Sequence, residues 1–222
     1  MDKPMLIFDD ACPMCKLYTG AFTRLKWTDR IGFSESPAAL RRCLDLDRAR
    51  HEIPLYDPHT GEVRYGLRAL FEVLGTRLPW LRPVFAHPLT YHVLRPLYQL
   101  ITYNRRIIAG TRAPATGFDC APDFHLGWRL AYIFLALTAT LVIAGAYPPA
   151  IFGCCIWYLL GAALAVTTKK RQARVGGAGH WATIGLIAVL PLLTHGWIGD
   201  ASYLLGAALG AWAIIKRWRL PV

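Results

Sequence analysis

Charged residues are scarce in this chain of 222 residues: they make up 18% of it, against 55% hydrophobic residues. Soluble globular domains carry about 25% charged residues, so the composition argues against a wholly soluble protein. Residues 1–108 mix charge with apolar residues as a globular domain does, whereas 127–222 consist mainly of uncharged runs. We therefore expect a soluble domain, a linker over 109–126 and a membrane domain.

Acidic and basic residues are almost absent from the middle of four long apolar runs. Each run is close to the ~20 residues that a helix needs to cross the hydrocarbon core. The runs are 128–147, 150–168, 181–198 and 201–216. Proton and ion pathways usually place an ionisable residue inside a span, so this absence argues against a channel or transporter. The runs predict an all-α region of four transmembrane helices, arranged as two hairpins.

The excess of positive charge, +11 overall, is placed unevenly. Lys and Arg cluster before the first run, between the second and third, and after the fourth, while the other two loops contain neither. This is the positive-inside pattern, and it predicts that the N-terminus and C-terminus are cytoplasmic. We expect an integral protein of a plasma membrane, such as the bacterial inner membrane. We therefore expect the positive charge to lie near a lipid bilayer and not to bind nucleic acid. The sequence leaves the oligomeric state open.

No cleaved signal peptide is expected at the N-terminus. Only Lys3 is basic before the apolar run 5–8, and that run is short for the core of a signal peptide. The N-terminal domain should therefore face a reducing compartment, where a permanent structural disulfide is not expected.

A Cys-x-x-Cys motif, Cys12 to Cys15, follows that apolar run directly. We expect a strand before it and a helix over 13–27 after it, with Cys12 as the N-cap and Pro13 in the first turn. The helix dipole and free backbone N–H groups then favour the Cys12 thiolate, and Lys16 adds positive charge nearby. Cys12 would attack a substrate disulfide and the less exposed Cys15 would resolve the mixed disulfide. The dithiol itself would carry the electrons, so no bound cofactor is expected.

Asp9 and Asp10 precede the motif and oppose thiolate formation by like-charge repulsion. A carboxylate beside the pair has a use of its own, because it can accept the proton of the second thiol. Both residues are therefore candidates for a supporting role.

The order of predicted elements through residue 74 is β-α-β-α-β-β-α, that of a small α/β thioredoxin-like domain. The strands are expected over 3–8, 31–34, 54–57 and 62–65, and the helices over 13–27, 37–50 and 66–74. Pro54 is then either a cis-proline facing the Cys pair or a trans proline at a strand start. Residues 78–108 predict two or three short helices, which either lie on the bilayer surface or complete the soluble core.

Several residues allow a second interpretation. Cys43 and His51 could complete a metal site with the Cys pair, although their spacing matches no common zinc motif. Cys154 and Cys155 are expected to pack in a span, and Cys120 to be a linker thiol. Two pairs of small residues four apart, including Gly206 and Gly210, should let transmembrane helices approach closely.

The motif and two later segments resemble one family. Residues 8–15 are similar to the signature of the DCC thiol-disulfide oxidoreductases, in which an aromatic residue, Asp and usually Gly precede Cys-x-x-Cys. Gly66-Leu67-Arg68-Ala69 resembles the family's Gly-x-x-Ala helix start, and 98–106 resembles its closing segment, which ends in Asn-Arg. The resemblance covers about residues 4–108. It implies a thioredoxin-like fold and dithiol chemistry at Cys12 and Cys15; Asp10 stands where the family usually has Gly.

The sequence thus predicts a membrane-anchored thiol-disulfide oxidoreductase that acts on a disulfide-bearing protein or a small thiol substrate. Two alternatives stay open at this point. One is a non-catalytic membrane adaptor whose soluble domain binds a partner, and the other is a thiolate metal-binding module.

Overall fold

The computed structural model describes residues 3–111, 122–167, 171–194, 199 and 201–217. The chain divides into two compact units, Met1–Ala109 with Ala113–Phe124, and Gly110–Arg112 with His125–Val222. Both are mainly helical, and the first also contains a small mixed sheet. The division into 1–108, 109–126 and 127–222 stays a prediction, because most of that linker lies outside the described residues.

The sheet of the first unit has four strands in the order β2-β1-β3-β4. The strands are β1 (Met5–Phe8), β2 (Asp29–Gly32), β3 (Pro54–Tyr56) and β4 (Val63–Tyr65). The β1–β2 pair is parallel, with a helix in the connection, while β1–β3 and β3–β4 are antiparallel. This confirms the predicted strands, with boundaries shifted by up to two residues.

Helices cover both faces of this sheet. They are α1 (Pro13–Arg24), α2 (Ala38–Arg42), α3 (Leu46–His51), α4 (Gly66–Arg77), α5 (Arg82–Ala86) and α6 (Pro88–Ala109), with a 3₁₀ turn at Pro79–Leu81. Successive side chains of a strand point to opposite faces. Leu6 accordingly packs with Val73 of α4, and Ile7 packs with Leu44 and Ala49 near α2 and α3. All four residues of β1 are buried, as expected for a central strand with both faces covered.

Helix α1 ends three residues before the predicted end at 27. Lys26 adopts a positive φ of 59°, and its N–H donates to the Thr23 carbonyl at 2.9 Å. This turn brings the Trp27 ring back onto Phe22, with ring centroids 5.9 Å apart. Tertiary packing of an aromatic residue therefore stops the helix earlier than its apolar pattern suggests.

The predicted single helix over 37–50 is two helices, α2 and α3. Asp45 begins the second one, since its Oδ1 accepts a hydrogen bond from the Arg48 N–H at 3.0 Å. Asp is among the best N-cap residues because its carboxylate satisfies a backbone donor of the first turn. The cap explains why the continuous helical pattern was an incorrect prediction here.

The expectation of two or three short helices over 78–108 is partly wrong, because α6 is 22 residues long. Pro96 lies inside it, where a proline normally interrupts a helix. Helix α6 packs against α1 and α4, so it completes the core of the first unit.

The second unit contains four helices in its described part. They are α7 (Leu126–Gly145), α8 (Pro148–Thr167), α9 (Arg171–Val189, extended by a 3₁₀ turn Leu190–Thr194) and α10 (Ala201–Arg217). By length and composition, Leu126–Gly145 and Val175–Thr194 are long and apolar enough to cross a membrane, and Ala150–Leu164 is a shorter apolar helix. The four-span arrangement stays a prediction. Helix α9 begins well before the expected residue 181 and includes Arg171, which lies in the connection expected between the second and third runs.

Small residues do allow close helix contact in this unit, as predicted. A Cβ added at Gly206 of α10 would collide with the Ala188 carbonyl oxygen of α9, and one at Gly210 would lie 3.2 Å from the Ala188 Cβ. Between α7 and α9, the Tyr132 and Thr183 hydroxyl groups are hydrogen-bonded at 2.7 Å. Such close packing and polar contacts are the usual means by which helices associate in lipid.

Candidate functional site

The Cys pair lies where β1 ends and α1 begins. The Cys12 N–H donates to the Asp9 carbonyl at 3.1 Å, and the Ala11 N–H donates to Asp9 Oδ1 at 2.9 Å. These bonds form a tight turn of the kind that Asp favours. Cys12 is the N-cap residue of α1 and Pro13 occupies the first turn, as predicted.

Both cysteines are buried. Cys12 is 3% exposed and Cys15 is 4% exposed, and the two pack with Phe8, Met14 and Ile53. The expectation that Cys12 lies exposed at the helix tip, with Cys15 further inside, is therefore wrong. The reason is that Ile53, which precedes β3, packs over the turn together with Met14 of α1.

The two thiols differ sharply in acidity. Cys15 donates a side-chain hydrogen bond to Cys12 and so lowers the pKa of Cys12 to about 6, while burial opposes this shift. The same bond, together with burial, raises the pKa of Cys15. The Arg105 charge lowers the pKa of both thiols and Asp9 raises it. At neutral pH the pair therefore holds one thiolate, centred on Cys12, next to one thiol.

The positive charge beside the pair comes from Arg105 in α6, a residue distant in sequence. Its Nη1 lies 4.0 Å from Cys15 Sγ, and its Nη2 lies 3.5 Å from Asp9 Oδ2 and 3.4 Å from the Arg50 carbonyl. The Arg105 and Asp9 side chains are each only 12% exposed. The sequence contains a signal for this residue, because Arg105 belongs to the Asn-Arg end of the third DCC-like segment.

The side chains of Lys16 and Asp10 make contacts away from the Cys pair, which differs from their predicted supporting roles beside it. The Lys16 side chain is exposed, and its backbone carbonyl accepts a hydrogen bond from Arg30 at 2.9 Å. Asp10 Oδ2 accepts hydrogen bonds from the backbone N–H and the hydroxyl of Ser34, just beyond β2. Asp10 thus ties the turn after β1 to the end of β2, and Asp9 is the carboxylate that reaches the charge beside the pair.

Pro54 begins β3 with a trans peptide bond, the second of the two alternatives for this residue. The Ile53 carbonyl before it accepts the Gly66 N–H at 2.9 Å, so this oxygen is already hydrogen-bonded within the domain. Pro54 itself is buried, and Ile53 is the residue of this segment that contacts the Cys pair.

Cys43 and His51 do not join the pair as metal ligands. In the described residues, no group of three or more His, Cys, Asp or Glu side chains is arranged to hold a metal ion. In the second unit, Cys154 packs with Ala144 and Leu192, as expected, whereas Cys155 is exposed and does not pack as expected. Cys120 lies outside the described residues.

Comparison with known proteins adds no relative to this picture. The chain matches no family of proteins, no curated protein and no solved structure. Its function is therefore argued from the site itself, a buried dithiol with one acidic thiol and a guanidinium nearby.

Proposed function

We propose that this protein is a membrane-anchored thiol-disulfide oxidoreductase in which Cys12 and Cys15 cycle between dithiol and disulfide. The observation that carries the proposal is the pairing of an N-cap thiol of low pKa with a second thiol that donates a hydrogen bond to it. A thiolate is the nucleophile of disulfide exchange, and a neighbouring thiol resolves the mixed disulfide. The electrons come from the thiols, so the reaction needs no bound cofactor.

The fold of the first unit supports a thioredoxin-like assignment. Its β1-α1-β2 unit is followed by the antiparallel β3–β4 pair and α4, and the sheet order is β2-β1-β3-β4. The Cys pair lies at the end of the central strand, where an α/β sheet usually places its functional site.

The resemblance to the DCC family gains support from the same geometry. The three segments that carry it are far apart in sequence but meet at the Cys pair. Gly66 of the second segment binds Ile53 against the pair, and Arg105 of the third reaches Cys15. Shared location at one site is what a family signature with a common chemical role would produce.

We further propose that the second unit anchors this domain to the cytoplasmic face of a plasma membrane through four spans. Four described helices, two of them long and apolar enough to cross a membrane, and the placement of Lys and Arg support this. The partners would be the lipid bilayer and a disulfide-bearing protein or small thiol compound.

A trapping experiment tests the proposed function. In cells, Cys12→Ser or Cys15→Ser leaves one thiol that can attack but no thiol that resolves, so we expect mixed disulfides that reducing agent releases. The double variant is the matched control, and it measures what the other four cysteines trap. If both single variants trap no more than the double variant, and the double variant supports the same growth, the domain acts as a non-catalytic adaptor.

A further inference from the structure

A cavity of about 240 Å³ lies beside the Cys pair within the first unit, between α1, α4 and α6. Cys15 forms part of its wall, and Cys12 does not. The cavity therefore provides a space next to Cys15, although solvent hardly reaches either sulfur.

The lining of this cavity is apolar for most of its surface. Leu6, Phe22 and Val73 line its inner part, Ile101 of α6 lies at its more exposed side, and Arg105 is the one charged lining residue among those described. Such walls favour an apolar occupant, because a polar group placed against them loses its hydrogen bonds with water.

The size of the cavity limits what it can hold. An engineered apolar cavity of roughly 150 Å³ stays dry and binds benzene. A space of about 240 Å³ therefore fits a small molecule, such as one carrying two short alkyl groups, and is too small for a loop of a folded protein. The Ile53 carbonyl, which could otherwise pair with an extended peptide next to the cysteines, is occupied by the Gly66 N–H.

We propose that this cavity is the substrate site for a small apolar disulfide, R–S–S–R, which lies against Cys15 and is reduced by the Cys12–Cys15 pair. The proposal rests on the dithiol function proposed above and names its substrate class.

The placement of the substrate beside the pair leads to two exchange steps. The Cys12 thiolate attacks one substrate sulfur; the S–S bond of the substrate breaks and R–S⁻ leaves. Cys15 then loses its proton to the released R–S⁻, and Cys15 Sγ attacks Cys12 Sγ, which forms the Cys12–Cys15 disulfide and releases the second R–S⁻. Two electrons move from the pair to the substrate; the pair supplies one proton, and solvent supplies the proton of the second thiolate. Arg105, 4.0 Å from Cys15 Sγ, lies where it stabilises negative charge on that sulfur.

The test compares two disulfides of nearly equal shape on the full chain in detergent. Dipropyl disulfide and bis(2-hydroxyethyl) disulfide have the same number of non-hydrogen atoms and differ only in a terminal methyl or hydroxyl group. The other four of the six cysteines are replaced first, so that only the pair reacts. The rate at which each disulfide oxidises the Cys12–Cys15 pair is divided by the rate at which it oxidises free 2-mercaptoethanol in the same detergent. We expect this ratio to be about tenfold higher for dipropyl disulfide.

A matched pair of variants on α6 locates the effect. Ile101→Trp fills the cavity and should reduce the dipropyl disulfide rate about tenfold or more. Leu97→Trp makes the same kind of change on the same helix outside the cavity and should change that rate less than about twofold. Equal normalised rates for the two disulfides, or equal rates in the two variants, would overturn the cavity proposal. If the Cys12–Cys15 pair is nevertheless oxidised and reduced reversibly in a redox titration, the oxidoreductase proposal stands. If both sulfurs stay free thiols at every potential, that proposal fails as well.

Discussion

At the scale of single residues, the ionisation of the Cys pair depends on groups from three parts of the chain. The turn at Asp9 places Cys12 at the start of α1, Cys15 donates to its sulfur, and Arg105 of α6 brings the positive charge. The N-cap position of Cys12 was predicted, since the Cys-Pro start of the helix defines it locally. Arg105 was missed, because no local pattern indicates that this residue and not Lys16 faces the sulfurs; only the third DCC-like segment singles it out.

We predict that Arg105→Gln raises the pKa of the Cys12 thiol from about 6, because the change removes a positive charge that favours the thiolate. The thiolate fraction at pH 6 should then fall about fivefold if the pKa rises by about one unit, from about one half to about one tenth. The ultraviolet absorbance of the thiolate, followed against pH and corrected with Cys12→Ser, measures this directly.

Two further variants separate charge from packing in that experiment. Arg105→Lys keeps the charge and should recover most of the thiolate, whereas a residue needed only for packing would gain nothing from it. Lys16→Gln removes an exposed charge and should leave the measured pKa of the Cys12 thiol unchanged. A larger shift for Lys16→Gln than for Arg105→Gln would contradict the role given to Arg105.

Asp10 is expected to matter for stability and not for thiol acidity. Asp10→Ala removes the acceptor of the Ser34 N–H and hydroxyl, so the free energy of unfolding should fall by about 1–2 kcal/mol. The thermal midpoint of the full chain should decrease while the Cys12 titration stays unchanged. A shifted titration with an unchanged thermal midpoint would place Asp10 in the redox machinery instead.

At the scale of elements, the sheet and its order along the chain were predictable, whereas several helix boundaries were not. Alternating and continuous apolar runs identified all four strands near their observed positions. The errors have local physical causes: the Asp45 cap divides one predicted helix, and Pro96 is tolerated inside α6. Cys12 was expected to be exposed because the sequence does not reveal that Ile53 packs over it.

Gly66, at the start of α4, has a backbone conformation and surroundings that require glycine. It begins α4 with a positive φ of 60°, and an added Cβ would lie 3.0 Å from the Glu52 side chain. We expect Gly66→Ala to cost about 2 kcal/mol or more, since an L-residue in this conformation alone costs about 1–2 kcal/mol and crowding adds to it.

Gly61 supplies the matched control for that measurement. It also has a positive φ, of 73°, but nothing lies within 4 Å of an added Cβ. Gly61→Ala should therefore show the conformational cost alone, about 1 kcal/mol. Thermal midpoints that fall equally in both variants would show that the contact with Glu52 contributes nothing.

At the scale of the whole molecule, the chain joins a soluble-type α/β unit to a unit of apolar helices. The structure describes two compact units, and the second contains two helices long and apolar enough to cross a membrane; the predicted domain boundaries stay a prediction. The start of α9 was missed because its glycine-rich first turns are typical of a loop in water, yet they are helical here.

Four spans predict a specific membrane topology. Alkaline phosphatase, which is active only outside the cytoplasm, should be active when fused after Tyr147 or Gly199 and inactive when fused after residue 169. A protein with only the two clear candidate spans would instead give no activity after Gly199, because the chain would have returned to the cytoplasm there. The fusion after Gly199 thus decides between the two topologies.

The central claim is that Cys12 and Cys15 form one reversible redox couple. The most direct measurement is a redox titration of the full chain, with the other four of its six cysteines replaced, in which free thiols are alkylated and counted by mass. The account predicts a single two-electron transition, with a tenfold change in the ratio per roughly 30 mV and a midpoint between roughly −200 and −320 mV. Both sulfurs remaining free thiols at every potential in that range would contradict it.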